Sequence, residues 1–263
     1  IEDEMPAGAA LVRDLYPSGG RAYVIGVTGP PGAGKSTLVD RLTAAIRTSG
    51  RTVGVIAVDP TSPFTGGAIL GDRVRMHGHS GDEGVFIRSM ATRGHLGGLA
   101  RATADVVLVL DAAGKDVVII ETVGVGQDEV DIVRTADVSL VVLVPGTGDD
   151  VQALKAGIME IADIFVVNKA DRDGADRLVQ SIAAVLALQP SAPGAWQPLI
   201  QKTEATTGAG VAELLEAIER FRSQSADARS ERLRARHDAR LRDILTRQFL
   251  QAVQDRKSTR LNS

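Results

Sequence analysis

The sequence predicts an α/β fold in which a mainly parallel sheet is flanked by helices. From residue 23 onward, apolar β-branched runs alternate with loops and with stretches of helical periodicity, which is the pattern of βαβ units. Five of the apolar runs carry almost no polar residue, as expected for strands buried on both faces of a sheet. A glycine-rich loop lies between the first apolar run and the first helical stretch. These three observations define the predicted fold class.

The pattern places the elements in the following order. Strands are predicted at residues 23–28, 53–58, 85–88, 117–121, 138–144, 164–167 and 196–200. Helices are predicted at residues 35–48, 96–112, 149–160, 175–188 and 211–224, with a short one within 9–15. We therefore divide the chain into a lead-in (1–20), the α/β domain (21–225), a C-terminal helical arm (226–256) and a disordered or non-native tail (257–263).

Composition limits the classes of function. The 263 residues include no cysteine and have a formal net charge of −3, so thiolate metal sites are excluded and no general attraction to nucleic acid is expected. No run reaches the roughly 18 apolar residues of a membrane span. We expect a cytoplasmic protein without a membrane or nucleic-acid partner, or a mitochondrial matrix protein if a targeting segment has been lost.

The glycine-rich loop, Gly29 to Ser36, matches G-x-x-x-x-G-K-[ST] at every fixed position. Glycines allow successive backbone N–H groups to surround a phosphate, and the following helix directs its positive end at the same anion. Lys35 is expected to reach the outer phosphates and Ser36 to hold Mg²⁺. The expected nucleotide-binding residues of the loop are Gly32, Ala33, Gly34, Lys35, Ser36 and Thr37.

A second motif predicts which base is bound. Asn168, Lys169 and Asp171 form N-K-x-D directly after the apolar run 164–167, at the strand end where α/β sheets bind ligands. The Asp171 carboxylate can accept the N1–H and the exocyclic amine of guanine, whereas adenine has a lone pair at N1. Guanine is therefore favoured. Within residues 203–208, Glu204 and Ala205 form a candidate further element, whose backbone N–H groups would meet the guanine carbonyl.

Acidic residues at strand ends predict the metal environment. Glu121 closes the run 117–120, Asp59 closes 53–58, and Asp72 lies in the glycine-rich loop between the second and third strands. Three such acids near one Mg²⁺ would supply hard oxygen ligands to a hard cation. We expect Ser36, Asp59, Asp72 and Glu121 to be the metal residues, and Lys35, Asp59 and Glu121 the catalytic ones. Gly124 would let the backbone approach the γ-phosphate.

The segments 58–76, 121–130 and 157–163, taken together with the N-K-x-D motif, resemble the MeaB/ArgK family over residues 20–225. Its members are GTPases that act as chaperones of adenosylcobalamin-dependent methylmalonyl-CoA mutase and related acyl-CoA mutases. Glutamate in place of the usual aspartate at Glu121 is typical of the wider superfamily, which also includes nickel and cobalamin metallochaperones. Glu204 differs from the serine usual in the fifth motif.

The resemblance implies GTP/GDP and Mg²⁺ as ligands, an acyl-CoA mutase as partner, and a homodimer formed through the C-terminal arm. It also implies switches at 59–76 and 124–131 and an additional one at 146–155, where Asp149 and Lys155 couple nucleotide state to the mutase. No arginine finger is identifiable, and Gln127 is only a candidate for positioning the attacking water. Slow intrinsic turnover is therefore expected.

Three alternatives remain open from the residues alone. A nickel metallochaperone GTPase would need imidazole ligands, for which His77 and His79 are the closely spaced candidates. A P-loop kinase or transport ATPase conflicts with the guanine preference of Asp171. A nucleotide sensor that binds GTP without hydrolysing it would carry the same motifs.

Overall fold

The described residues of this computed structural model are 5–59, 77–79, 81–91, 98–122, 135–146, 161–188 and 196–225, with single residues at 234, 238, 241 and 242. Contacts divide the chain into two units, Ile1–Arg222 and Ser223–Ser263. The sheet and the phosphate loop belong to the first unit. The second contains the end of the last helix and the four single residues, so the predicted arm at 226–256 and tail at 257–263 stay predictions.

The described residues form a seven-stranded, fully parallel sheet in the order β3-β2-β4-β1-β5-β6-β7. The strands are β1 (Tyr23–Thr28), β2 (Val53–Asp59), β3 (Val85–Ala91), β4 (Val117–Thr122), β5 (Val138–Leu143), β6 (Ile164–Asn168) and β7 (Leu199–Thr203). Four central strands, β1, β4, β5 and β6, are buried along their whole length, which explains their apolar sequences.

The described residues also include five α-helices. They are α1 (Pro6–Leu15), α2 (Lys35–Thr48), α3 (Gly98–Ala112), α4 (Ala175–Ala187) and α5 (Val211–Gln224). Short 3₁₀ turns follow at Tyr16–Ser18 and His77–His79. The predicted α/β class with a mainly parallel sheet is confirmed.

Side chains alternate between the two faces of the sheet, and each face is covered by different helices. On one face, Ile25 and Leu140 pack with apolar residues of α2 and α5, including Leu38 and Phe221. On the other face, α3 covers the β1, β2 and β4 side and α4 covers the β5 and β6 side. The sheet is therefore the middle of three layers. Because the strands are parallel, their carboxyl ends all lie on the same side of the sheet.

The predicted final strand, at 196–200, is placed three residues too early. The observed β7 is Leu199–Thr203, paired in parallel with β6 from Ile164 to Asn168. Trp196 instead donates its indole N–H to the Asp163 carbonyl at 2.9 Å and packs edge-on against Phe221. The apolar pattern favoured the earlier residues, but β7 is an edge strand that is only half buried, so pairing with β6 determines its position.

The other strand predictions differ from the structure by at most three residues at an end, the largest difference being the extension of β3 to Ala91. The helix predicted at 149–160 lies outside the described residues. Among the described residues, no helix is long and apolar enough to cross a membrane.

Candidate functional site

The phosphate loop lies at the carboxyl end of β1, between β4 and β5 in the sheet. β1 is where the strand order reverses direction, which is the position at which open α/β sheets bind ligands. Gly29 has φ +140°, and a Cβ there would lie 2.0 Å from the Val142 carbonyl oxygen. Gly34 has φ +83°, and a Cβ there would lie 2.6 Å from the Asn168 amide nitrogen. Both positions require glycine, because conformation and space exclude a side chain.

Lys35 is the first residue of α2 and is almost completely buried, with 6% of its surface exposed. Its ammonium donates to the Gly29 carbonyl at 2.7 Å and to the Pro30 carbonyl at 3.0 Å. The chain thus holds the charged end of Lys35 over the loop that precedes it. This arrangement supplies a positive charge beside a helix N-terminus, where a phosphate is favoured electrostatically.

Ser36 and Glu121 come together next to the loop. The Ser36 hydroxyl donates to Glu121 Oε1 at 2.6 Å, and Glu121 is 6% exposed at the carboxyl end of β4. Parallel pairing places Glu121 beside Val27 of β1 and Ala57 of β2. A hydroxyl and a carboxylate in contact form a hard-oxygen donor set, so these residues fit Mg²⁺.

The other two acids predicted to bind the metal are Asp59 and Asp72. Asp59 is the last residue of β2, two residues beyond the partner of Glu121, but its side chain lies outside the described residues. Asp72 also lies outside them. So do Gly124, Gln127, Asp149 and Lys155. Their predicted roles in metal binding, switching and partner coupling stay predictions.

Asn168 connects three segments of the site. Its amide donates to the Ala33 carbonyl at 2.8 Å, and its Oδ1 accepts from the Thr203 hydroxyl and the Ala205 N–H, both at 3.1 Å. The side chain is 1% exposed. Its motif therefore ties the phosphate loop to the loop after β7, a contact that joins positions 135 residues apart.

Lys169 and Asp171 follow Asn168 at the edge of the site. Lys169 has φ +55°, and its ammonium donates to the Gly32 carbonyl at 2.8 Å. Asp171 is exposed to solvent. The structure thus leaves the Asp171 carboxylate accessible to a base, while Lys169 braces the phosphate loop.

In the loop after β7, one backbone N–H group has a different partner from the one that the sequence predicts. The Ala205 N–H, expected to face a guanine carbonyl, donates to Asn168 Oδ1. The Glu204 N–H and carbonyl bond to Ala209 and Gly208 at 2.9 and 2.8 Å, closing the loop on itself. Sequence reasoning also missed Arg41, which donates to the Ala205 and Thr206 carbonyls. Nothing in the local pattern distinguishes Arg41 from an ordinary exposed helical arginine.

A cavity of about 380 Å³ opens beside the phosphate loop. This volume is within the range of small-molecule sites. It is lined by Pro31, Gly32, Gly34, Lys35, Ser36, Thr37, Ala57, Val58, Glu121 and Thr122. The cavity thus brings together most of the residues predicted to hold phosphate and metal.

The histidines do not form a metal centre in the described part of the chain. His79 Nε2 lies 3.2 Å from Asp40 Oδ1 and 3.3 Å from the Asp40 carbonyl oxygen. The side chain of His77 lies outside the described residues. No group of three or more histidine, aspartate or glutamate side chains that could hold a metal occurs among the residues that the structure describes.

Nearly all of the chain matches a family model. Residues 1–258 match the family described as "Methylmalonyl Co-A mutase-associated GTPase MeaB". The chain belongs to the MeaB family. It is accordingly a GTPase that binds guanine nucleotides, as the exposed Asp171 and the phosphate loop predict.

Two similar proteins support this assignment. A protein of Pyrococcus horikoshii, named as a candidate GTPase, is 53% identical over 249 residues, covering 93% of this chain and 78% of the relative. The protein named GTPase ArgK from Escherichia coli is 40% identical over 233 residues, covering 85% of this chain and 70% of the relative. The predicted MeaB/ArgK resemblance is confirmed.

Solved structures share the fold. A structure titled "LAO/AO transport system kinase" matches with a TM-score of 0.75 and 28% identity, covering 92% of this chain and 73% of that one. The hydrogenase maturation factor HypB of Archaeoglobus fulgidus matches with a TM-score of 0.57 and 21% identity, covering 82% of this chain and 98% of that one. At this identity the second match shows a common fold alone.

Proposed function

We propose that this chain hydrolyses GTP in a Mg²⁺-dependent reaction and couples nucleotide state to an adenosylcobalamin-dependent acyl-CoA mutase. The hydrolytic part is supported by one contact above the others, the 2.6 Å hydrogen bond between Ser36 and Glu121 beside the phosphate loop. Ser36 and Glu121, with Asp59 and Asp72, would hold the metal. When bound, Mg²⁺ neutralises charge on the β- and γ-phosphates and orients them.

The chain's own groups have distinct tasks in the proposed reaction. The N–H groups of the phosphate loop and the Lys35 ammonium stabilise negative charge that develops as water attacks the γ-phosphate in line. Asp171 binds the guanine edge, while Asn168 and Lys169 hold the loops that flank the nucleotide.

Intrinsic turnover is expected to be slow. Of the described residues that line the cavity, none is an arginine or a glutamine. A group that neutralises the transition state or positions water would therefore come from a switch segment or from a partner. Rapid GTP hydrolysis by the purified protein alone would contradict this part of the proposal.

The partner is proposed from the family rather than from a contact. The MeaB family is described as associated with methylmalonyl-CoA mutase, and the predicted switches at 59–76, 124–131 and 146–155 flank the nucleotide motifs in the chain. The switch segments would change conformation when the γ-phosphate is bound or lost. The mutase would respond to that change, either by receiving its cofactor or by being protected. We also propose a cytoplasmic homodimer, with the arm at 226–256 as its contact.

A pull-down with purified methylmalonyl-CoA mutase tests the partner. The chain is immobilised without nucleotide, with GDP, or with a non-hydrolysable GTP analogue, and mutase retention is compared. Retention should differ by about tenfold or more between nucleotide states, which corresponds to ~1.4 kcal/mol of coupling.

Lys35→Ala provides the matched control, because it should lose the nucleotide dependence while keeping the rest of the surface. Equal retention in every state would contradict nucleotide coupling. Binding of a nickel enzyme in place of the mutase would favour the metallochaperone alternative. Sedimentation of the chain as a monomer at micromolar concentration would contradict the homodimer.

A further inference from the structure

Arg41 on α2 forms a direct bridge to the loop after β7. Its Nε donates to the Ala205 carbonyl at 3.2 Å, and an Nη donates to the Thr206 carbonyl at 2.8 Å. Arg41 lies six residues after Lys35 on the same helix. The helix that begins at the phosphate loop therefore also holds the loop of residues 203–208.

These two bonds hold the backbone carbonyl groups at the tip of the loop. Its base is closed by the bonds between Glu204, Gly208 and Ala209. Its Ala205 N–H is held by Asn168. Among the described residues, the hydrogen bonds to the Ala205 and Thr206 carbonyls come from Arg41. The tip is thus held from two sides, by Asn168 at an N–H and by Arg41 at two carbonyls.

The chemistry of arginine suits this arrangement. A guanidinium presents several N–H groups in a rigid fork, so it can hold two neighbouring carbonyls at once. Arg41 is exposed, so its loss should disturb the packing of α2 little. Its bonds constrain the loop and contribute little to the core.

We propose that Arg41 is a positioning residue for base recognition, which orders the 203–208 loop against the guanine and thereby slows nucleotide release. This inference rests on the proposed recognition of guanine by Asp171, whose motif neighbour Asn168 holds the same loop. Because Arg41 bonds to the loop and does not itself line the cavity, its effect should concern the base and leave the phosphates unaffected.

Release of a fluorescent GDP analogue from Arg41→Ala, followed by stopped flow, tests the inference. The release rate should rise about tenfold, the size expected when hydrogen bonds from a charged donor are lost at an exposed position. Inorganic triphosphate, used as a competitor that lacks the base, should bind the variant and the wild type equally. The preference for GTP over ATP should fall by a similar factor.

Two further variants separate positioning from folding. Arg13→Ala removes the same charge from α1, where Arg13 is 79% exposed, and should leave GDP release unchanged. Arg41→Lys keeps the charge and should recover part of the slow release. If Arg41→Ala does not fold, Arg41→Gln is measured with the same expectations.

Wild-type GDP release in folded Arg41→Ala or Arg41→Gln would overturn the inference alone. Equal weakening of GDP and inorganic triphosphate would also overturn it, because Arg41 would then act on the phosphate loop. Failure of the wild-type protein to bind GDP would instead overturn the proposed function.

Discussion

Asn168 is a buried amide that uses both of its ends. It donates to the phosphate loop at Ala33 and accepts from Thr203 and from Ala205. A buried amide without partners would destabilise the fold, so its bonds explain why this position suits asparagine rather than an apolar residue. The motif was visible in the sequence, whereas its partners were not, because they lie far from it along the chain.

Asp171 gives the residue-scale prediction. Asp171→Asn should weaken GTP binding by about 10² or more and improve binding of xanthosine triphosphate. The carboxylate can accept two guanine donors, whereas the asparagine amide would offer one acceptor and one donor, which matches the N1–H and C2 carbonyl of xanthine. Competition binding with GTP and xanthosine triphosphate measures this change in nucleotide preference.

Asp14→Asn serves as the control for this substitution, since Asp14 is an exposed residue of α1. Equal affinity of Asp171→Asn and the wild type for GTP would contradict base recognition by Asp171.

At the scale of elements, aspartates fasten the amino ends of the strands. Asp116, Asp137 and Asp163 each stand just before a strand and accept a backbone N–H from a neighbouring segment, at Thr52, Val24 and Ser139, over 2.7–2.9 Å. The two bonds from Thr52 hold the pKa of Asp116 below its usual value. Together these bonds fix the amino ends of the strands. The phosphate loop, Glu121 and Asn168 lie at the carboxyl ends.

Arg47 and Asp82 link α2 to the turn before β3. Two hydrogen bonds of 2.8 Å join the guanidinium to the carboxylate, and the Gly84 N–H donates to the same carboxylate at 2.8 Å. The Arg47 bond, followed by the Gly84 bond, holds the pKa of Asp82 below its usual value. A lowered folded pKa means that the stabilisation is complete above the unfolded pKa and is lost as pH falls through the folded one.

Asp82→Asn should therefore lower the free energy of unfolding at pH 7. The difference from the wild type should shrink as the pH falls below about 4, the usual pKa of aspartate. Urea unfolding of both proteins at a series of pH values measures this convergence. Asp14→Asn should show little difference at any pH. A difference between Asp82→Asn and the wild type that stays constant from pH 7 to low pH would contradict the assigned cause.

At the scale of the whole molecule, the site joins distant parts of the chain. Lys35, Glu121, Asn168 and Ala205 come from four separate segments, and the parallel sheet brings them to one edge. A guanine nucleotide would therefore bind only the assembled fold. Ligands that bind the folded state alone stabilise it according to their concentration and affinity.

GDP with Mg²⁺ at about 100 times its Kd should raise the unfolding free energy by about 2.7 kcal/mol. For a domain of this size, this corresponds to a rise in Tm of roughly 5–10 °C. ADP at the same concentration should have little effect. Thermal unfolding monitored by circular dichroism compares the two nucleotides, with Lys35→Ala as the variant expected to lose the response. An equal shift with ADP would contradict guanine specificity.

The sequence by itself determined the features that depend on neighbouring residues. Continuous apolar runs specified the buried strands, and the spacing of Gly29, Gly34, Lys35 and Ser36 specified the phosphate loop. The N-K-x-D motif predicted a guanine base, and the longer motifs specified the family.

Only the tertiary structure decided contacts between segments remote in sequence. The register of β7 follows from pairing with β6, because a half-buried edge strand has too weak an apolar pattern to define itself. The Ala205 N–H donates to Asn168, and Arg41 holds the Ala205 and Thr206 carbonyls. Hydrogen bonds of this kind depend on where the sheet places each loop, and short-range sequence patterns carry no information about that placement.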